Sequence, residues 1–203
     1  MTLVKLQENL RLERCPFCSV DRPNLPKILE TKTTNSEGKS GTLWRFYKCA
    51  RCGGVVTAWA ENANDFTNGI IPTSKEVSKD IPNKAGSFLL QAVQSIHAPA
   101  GAIMLAASSI DSMLKEKGYI AGDLYPRIEQ AAKDHLITDV MAKWAHQVRL
   151  DSNAQRHADH DAELPTEKDA KKTIKFAQAF AEFLFVLPAM VEEGLKETSP
   201  EKE

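Results

Sequence analysis

The 203-residue sequence has no long run of apolar residues. Its longest such stretch, Phe183–Val191, is interrupted by Pro188 and is about half as long as a membrane-spanning helix. The first fourteen residues are charged throughout and lack the apolar core of a secretion signal. We therefore expect a cytoplasmic protein without a membrane span.

The sequence also lacks the short motifs of common catalytic sites. It has no glycine-rich phosphate loop, no HExxH motif and no nucleophile elbow. The net charge is only −1, which argues against a general binder of polyanions. This charge is unevenly divided, because residues 1–66 have a balance of +3 and residues 67–203 a balance of −4. Contact between the N-terminal part and a nucleic acid is therefore allowed but not required.

Cysteine is scarce, and all four cysteines lie in two pairs of identical spacing. Cys15 and Cys18 form the first pair, and Cys49 and Cys52 follow after thirty residues. In a reducing compartment such pairs favour a metal site over disulfides. Each pair can direct two thiolates at one ion, and two pairs complete a tetrahedron without an open position. We predict one structural zinc ion per chain; the alternative is four unrelated buried cysteines.

Residues 1–66 are predicted to form a small zinc ribbon, with a short helix over residues 1–14. A loop at residues 34–41 would join the first two of its three strands. Gly53 and Gly54 suit the strained backbone of a metal-binding turn. The predicted strands are Lys27–Thr33, Thr42–Cys49 and Val55–Ala60.

Basic residues near the second cysteine pair suggest a surface through which the ribbon contacts other molecules. Arg45, Lys48 and Arg51 lie within seven positions of one another. We expect these three residues to contact a nucleic acid or a protein partner.

After a polar linker at residues 67–80, the periodicity of apolar residues becomes helical. We predict an antiparallel bundle of about five helices over residues 81–193 and a charged tail over residues 194–203. The fold class is therefore mainly α with a small β ribbon. Pro99, Thr138 and the pair Thr166 and Asp169 are expected to begin three of the helices. The last helix is apolar on most sides, which predicts a central position or contact with a second copy.

A polar stripe is predicted on the fourth helix. At about 100° per residue, its members would lie within about 80° of one another, opposite the apolar side of the same helix. One interpretation is a solvated face; the other is a phosphate site, with arginine as donor and histidine as proton carrier. Arg149 and His157 would be about 12 Å apart along the axis, so one phosphate would require a helix break or a second chain. The stripe consists of His146, Arg149, Asn153 and His157.

The apolar pattern of the fourth helix ends at Leu150. Polar residues would occupy the core positions that follow, so we expect the helix to break near Asp151–Ser152 or to leave the protein body there. Beyond it, residues 157–161 contain His157, His160 and Asp161, which are metal-ligand residue types. Mixed runs of this kind are more often solvated loops.

The segment Ile81–Val191 resembles the bacterial domain of unknown function that occurs at the ends of type I restriction-enzyme subunits and in zinc-ribbon proteins. That domain is similar to the HEPN superfamily of helical bundles. Where the superfamily has Arg-x-x-Leu-Glu in the second helix, this sequence has Ala107-Ser-Ser-Ile110-Asp111. The residues that carry the resemblance are Asp80–Pro82, Ala98–Leu114, Leu124–Ile128, Leu136–Thr138, Arg149-x3-Asn153-x3-His157 and Leu187–Ala189.

The resemblance implies a function in phage defence. Superfamily members with an Arg…His motif are commonly metal-independent endoribonucleases that act as dimers with the motif at the interface. The resemblance further implies that Arg149 would stabilise the phosphate that the ribose 2′-hydroxyl attacks. His157 would be the general base or acid, and Asn153 would orient both.

Three functions are therefore predicted, in order. The first is a nucleic-acid-associated or protein-interaction module in a bacterial phage-defence or restriction context, forming a homodimer. Its partner would be RNA, DNA or a defence-system protein. The second is a metal-independent endoribonuclease with Arg149, Asn153 and His157 at the dimer interface. The third is a purely structural dimerisation domain.

Overall fold

The computed structural model describes residues 3–73, 77–157 and 163–198. The chain divides into two units, Met1–Glu76 and Val77–Glu203. The first unit is built on a β-sheet and the second on helices, so the protein is mainly α with a small sheet, as predicted.

The first unit contains a four-stranded antiparallel sheet in the order β1-β2-β3-β4. The first three strands confirm the predicted ones. The fourth, at Gly69–Ile71, pairs with Thr57–Trp59 inside the segment that was expected to be a linker. Three residues are too few to show an alternating pattern in the sequence, which explains the error. The strands are β1 (Lys27–Thr33), β2 (Thr42–Lys48), β3 (Val55–Ala60) and β4 (Gly69–Ile71).

The prediction of a helix over residues 1–14 is wrong, because the described part of this segment is extended. Leu6 and Leu10 are completely buried in the core of the ribbon. The amide of Leu6 donates to the carbonyl of Asp65, and that of Leu10 donates to the carbonyl of Leu25. These backbone bonds to distant residues stabilise the extended form over a helix.

The second unit is the predicted helical bundle, in which α2 packs against α1, α3, α4 and α5. Pro99 begins α2, the amide of Met141 donates to Thr138 Oγ1 at the start of α4, and Thr166 and Asp169 form a capping box before α5. These helix starts are therefore confirmed. The helices are α1 (Asn83–Gln94), α2 (Pro99–Glu116), α3 (Leu124–Lys133), α4 (Asp139–His157) and α5 (Glu167–Ala181).

The last helix continues beyond the predicted end at residue 193. From α5 it passes through a π-helical turn at Glu182–Val186 into α6, Leu187–Thr198. Its first half is anchored in the core, whereas none of the residues Leu187–Lys196 is buried. The stretch Glu167–Lys196 is long and apolar enough to cross a membrane by length and composition alone. A core helix of a soluble protein passes the same test, so this property is only a weak indication.

A largely buried ion pair joins α3 to α2. Arg127 is 8% exposed, and its Nη1 lies 2.5 Å from Asp111 Oδ1. Its Nη2 donates to the carbonyl oxygens of Ile120 and Gly122 in the intervening loop. One guanidinium therefore fixes the loop and the start of α3 on the side of α2.

We expect Arg127→Ala to lower the free energy of unfolding of the bundle by about 2 kcal/mol, because a partly buried carboxylate loses one of its two cationic partners and two loop carbonyls lose their donor. The matched control is Lys115→Ala. Lys115 also pairs with Asp111, at 2.6 Å, but its side chain is 46% exposed, so its loss should cost less than about 1 kcal/mol. Urea unfolding followed by helical circular dichroism measures both; equal losses would contradict a structural role specific to Arg127.

Candidate functional site

The four cysteines of the ribbon converge on one point. Their Sγ atoms all lie within 4.8 Å of one another, and those of Cys15 and Cys52 are 3.8 Å apart. Four thiolates around one ion at about 2.3 Å would place neighbouring sulfurs about 3.8 Å apart. The group could therefore hold one metal ion with a complete shell of sulfur ligands.

The two cysteine turns have the same backbone form. The amide of Ser19 donates to the carbonyl of Cys15, and that of Gly53 donates to the carbonyl of Cys49, both at 2.9 Å. Both donors have a positive φ, 56° at Ser19 and 74° at Gly53. The predicted strain at Gly53 is therefore present, and the first turn places a serine in the same conformation at some energetic cost.

Gly54 is required because of close packing and not, as expected, because of a strained backbone. Its φ is not positive, but a Cβ at this position would lie 2.5 Å from Cδ2 of Phe17. Phe17 belongs to the first cysteine turn. The absence of a side chain at Gly54 thus lets the two turns pack directly against each other.

Protons compete with a metal ion for these sulfurs. Burial raises the pKa of Cys15 to about 12. For Cys49, burial also disfavours the thiolate, but hydrogen bonds from the amides of Cys52 and Arg51 and from the Cys15 thiol outweigh it and lower the pKa to about 7. A bound cation would replace the protons on all four sulfurs, so its binding must release protons.

We expect the purified protein to contain one equivalent of metal and to lose it as the pH is lowered, because protons compete for the thiolates. Cys49→Ser should abolish stoichiometric metal and unfold the ribbon. Metal analysis across a pH series, with tryptophan fluorescence as the probe of folding, measures both effects. Ser36→Cys, which adds a thiol in the exposed hairpin loop, should leave one equivalent bound. A metal-free, fully folded wild-type protein would contradict the site.

Of the three predicted contact residues in the ribbon, Arg45 is not available. It is 6% exposed, and its Nε lies 2.6 Å from Glu30 Oε2 while its Nη1 donates to the carbonyl of Leu6. Its side chain points to the inner side of the sheet, so the prediction for Arg45 is wrong. Lys48 and Arg51 are exposed.

The fourth helix neither breaks nor leaves the core near Asp151–Ser152, contrary to expectation. It is continuous from Asp139 to His157, with Val148 1% and Ser152 2% exposed. Serine is small enough to continue the packed side of the helix where larger polar residues would not fit.

The predicted outward direction of the stripe is wrong for its first two members, which lie against α3. His146 Nε2 is 2.7 Å from Glu129 Oε1, and its ring centroid is 4.7 Å from that of Tyr125. The Arg149 guanidinium carbon lies 5.2 Å from the centre of the Tyr125 ring. A helical wheel of α4 alone could not predict these contacts, since they depend on where α3 packs.

The remaining stripe residues continue along α4, with Asn153 partly buried and His157 exposed. In a continuous helix, Arg149 and His157 stay about 12 Å apart along the axis. The structure therefore places Arg149 beside Tyr125 and near His146, and apart from His157. His160 and Asp161 lie outside the described residues.

Arg149 combines partial burial with unused hydrogen-bonding capacity. Its buried Nε has no hydrogen-bond partner, and no carboxylate pairs with its guanidinium within the described residues. Nδ1 of the neighbouring His146 is likewise buried without a partner there. A guanidinium held on an aromatic ring without a counter-ion is suited to an external anion such as phosphate.

Comparison with known proteins finds one matching family, and the matched segment contains this cluster. Residues 89–198, 110 of the 203, match a family described as "Domain of unknown function (DUF4145)". Neither a curated protein nor a solved structure matches the chain significantly. The matched segment includes all of α2 to α6, and therefore Tyr125, His146 and Arg149, whereas the four cysteines precede it.

Proposed function

This chain belongs to the DUF4145 family, and from that premise and the environment of Arg149 we propose that it is a nucleic-acid-associated module. The observation that carries the proposal is a partly buried guanidinium, lying over the Tyr125 ring, that lacks a carboxylate partner among the described residues. We further propose that the bundle is HEPN-like and that the protein acts in the bacterial cytoplasm in phage defence or restriction. This context rests on the sequence resemblance.

Zinc is the ion that we propose for the four cysteines. A closed shell of four thiolates is typical of structural zinc sites, and it leaves no position for a substrate. Bound zinc would hold the two cysteine turns together and would exclude metal-centred catalysis from the ribbon. Elemental analysis of the metal-loaded protein distinguishes zinc from iron.

Phosphate contact is the chemistry that Arg149 supports best. Its position on the Tyr125 ring limits the freedom of the guanidinium, so less entropy is lost when it donates to a phosphate. Asn153, Arg156 and His157 extend the polar surface along the next two turns of α4. Together these side chains could follow a nucleic-acid backbone over about 12 Å.

An endoribonuclease is the second candidate. The observation in its favour is that Arg149, Asn153 and His157 follow one another at intervals of four residues on a continuous helix. Their separation prevents Arg149 and His157 of one chain from meeting on one phosphate. A second copy would have to supply the missing residue, so this function requires a dimer formed around α4.

We expect the wild type to bind structured RNA or duplex DNA and Arg149→Ala to bind about tenfold more weakly, because a charged hydrogen bond contributes about 1.5–3 kcal/mol. Lys143→Ala is the matched control, since Lys143 is an exposed cation on the same helix. Fluorescence anisotropy at two salt concentrations measures binding, and thermal unfolding checks that Arg149→Ala still folds. Equal affinity of both variants would contradict the proposal.

The same samples, incubated with RNA in magnesium-free buffer containing EDTA, separate the alternatives. Cleavage that disappears in both Arg149→Ala and His157→Ala would establish the nuclease. Binding without cleavage would support the module. Neither activity would leave a structural dimerisation domain. The metal content of the ribbon is measured after incubation, because a chelator could also unfold that unit.

A homodimer remains part of the proposal, and the last helix offers a surface for it. Phe183 and Leu187 are each 41% exposed, Met190 is 59% and Val191 is 55% exposed. Along α6, Leu187, Met190 and Val191 lie on one side. An isolated helix of this length is marginal in water, so burial against a second copy would stabilise it.

We expect Leu187→Glu to convert a wild-type dimer into a monomer, because it places a charge in an apolar contact. Lys196→Glu is the control, since Lys196 is exposed on the opposite side of α6 and should leave the dimer intact. Sedimentation or light scattering gives the mass in solution. A monomeric wild type would remove both the dimer and the composite nuclease site.

A further inference from the structure

The outer face of the ribbon sheet has an unusual composition. Pairing places Trp44 beside Trp59 and Phe46 beside Thr57 on neighbouring strands. Phe46 also pairs with Leu29 on β1. These side chains lie on the side of the sheet opposite Arg45 and Tyr47, which are buried on the inner side. The outer face therefore presents two tryptophans and a phenylalanine in adjacent rows.

This face carries positive charge only. Within the paired strands, its other residues are threonine, glycine or apolar residues, with Lys48 at one end. The one carboxylate of these strands, Glu30, pairs with Arg45 on the inner side. Lys48 is exposed and has no ion-pair partner among the described residues, while Leu29 and Ile71 are 58% and 56% exposed. The face thus combines apolar area with a single free cation.

The two indole rings are held in defined positions. Their centroids are 4.8 Å apart with an interplanar angle of 29°, and Trp44 Nε1 donates to Thr33 Oγ1 at 2.8 Å. The Trp59 ring lies so close to the backbone at Gly69 that a Cβ there would clash with it. Trp59 therefore lies over β4 and does not project from the sheet. Rings fixed in this way lose little entropy when a flat group stacks on them.

We propose that the outer face of the ribbon sheet binds single-stranded nucleic acid. Unpaired bases stack on Trp44, Phe46 and Trp59, and Lys48 contacts a backbone phosphate. Aromatic side chains on a sheet reach bases only when these are unpaired, which excludes an intact duplex. The absence of carboxylates from this side of the four paired strands favours a polyanion over a basic protein segment. The inference deepens the proposed function, on which it rests, by adding a second contact surface and a substrate class.

Tryptophan fluorescence can test this contact directly. The chain has three tryptophans, and Trp144 lies in the bundle, so Trp144→Phe leaves only the two on the sheet. We expect a 12-nucleotide oligouridine to quench the fluorescence of this variant, and a duplex of equal length not to do so. Phe46→Thr, which retains β-propensity, should weaken binding at least about fivefold, the loss of one stacked base.

Reversing the charge of Lys48 provides a test that leaves the aromatic residues of the outer face unchanged. Lys48→Glu should weaken oligouridine binding. It should also reduce the slope of log affinity against log salt concentration by about 1, the value expected for one lost phosphate contact. Lys32→Glu is the matched control. Lys32 is exposed on β1, but its pairing with Leu43 places it on the inner side of the sheet, so affinity should be unchanged. The metal content of each variant checks that the ribbon is folded.

The outcomes separate this inference from the proposed function. Oligonucleotide binding that depends on Arg149 but leaves the sheet tryptophans unquenched would overturn the inference alone. Quenching that Arg149→Ala does not affect would support the sheet contact and refute the role of α4. Equal losses in Lys48→Glu and Lys32→Glu, or equal quenching by the duplex, would also overturn the inference. Absence of any binding would overturn both.

Discussion

The convergence of four cysteine sulfurs is the constraint on which the ribbon depends. Its core includes only about ten buried side chains, and two of these are the cysteines Cys15 and Cys49. Two buried, one half-buried and one exposed thiol brought this close together gain little from one another without a cation. With the ion, the second cysteine turn connects β2 to β3 in a fixed register. That register places Trp44 opposite Trp59, so we expect loss of the cysteine turn to disturb the outer face as well.

In the bundle, the corresponding constraint is the Arg127–Asp111 ion pair. It fixes the start of α3 on α2, and α3 in turn presents Tyr125 and Glu129 to α4. The position of Arg149 is therefore set by a residue more than twenty positions earlier in the chain. The segment Leu124–Ile128, which carries part of the sequence resemblance, supplies Arg127 of the ion pair and the Tyr125 ring on which Arg149 lies. Its residues therefore position the proposed contact residue Arg149 in addition to packing the bundle.

The sequence predicted the structure correctly where the interactions that determine it are local. Cysteine spacing, strand alternation and helix caps depend on residues a few positions apart, and the convergence of the four cysteines, three strands and the helix starts were predicted correctly. The predictions were wrong where residues far apart in the chain determine the conformation or the direction of a side chain. Leu6 and Leu10 have a spacing compatible with a helix, but their backbone bonds to Asp65 and Leu25 keep the segment extended. Likewise, Arg45 looked like a surface cation because its partner Glu30 lies on the next strand, and Arg149 looked outward because α3 is absent from a helical wheel.

The continuity of α4 bears most directly on the choice between binding and catalysis. Catalysis would require Arg149 and His157 to act on one phosphate, yet a straight helix keeps them about 12 Å apart along its axis. Binding has no such requirement, because successive phosphates of one strand can be contacted by residues on successive turns. The apolar residues exposed on the last helix lie on a different element from this stripe, and a dimer formed through them would not need to bring two copies of α4 together. The geometry therefore favours a module that holds nucleic acid, with catalysis dependent on a second interface formed around α4.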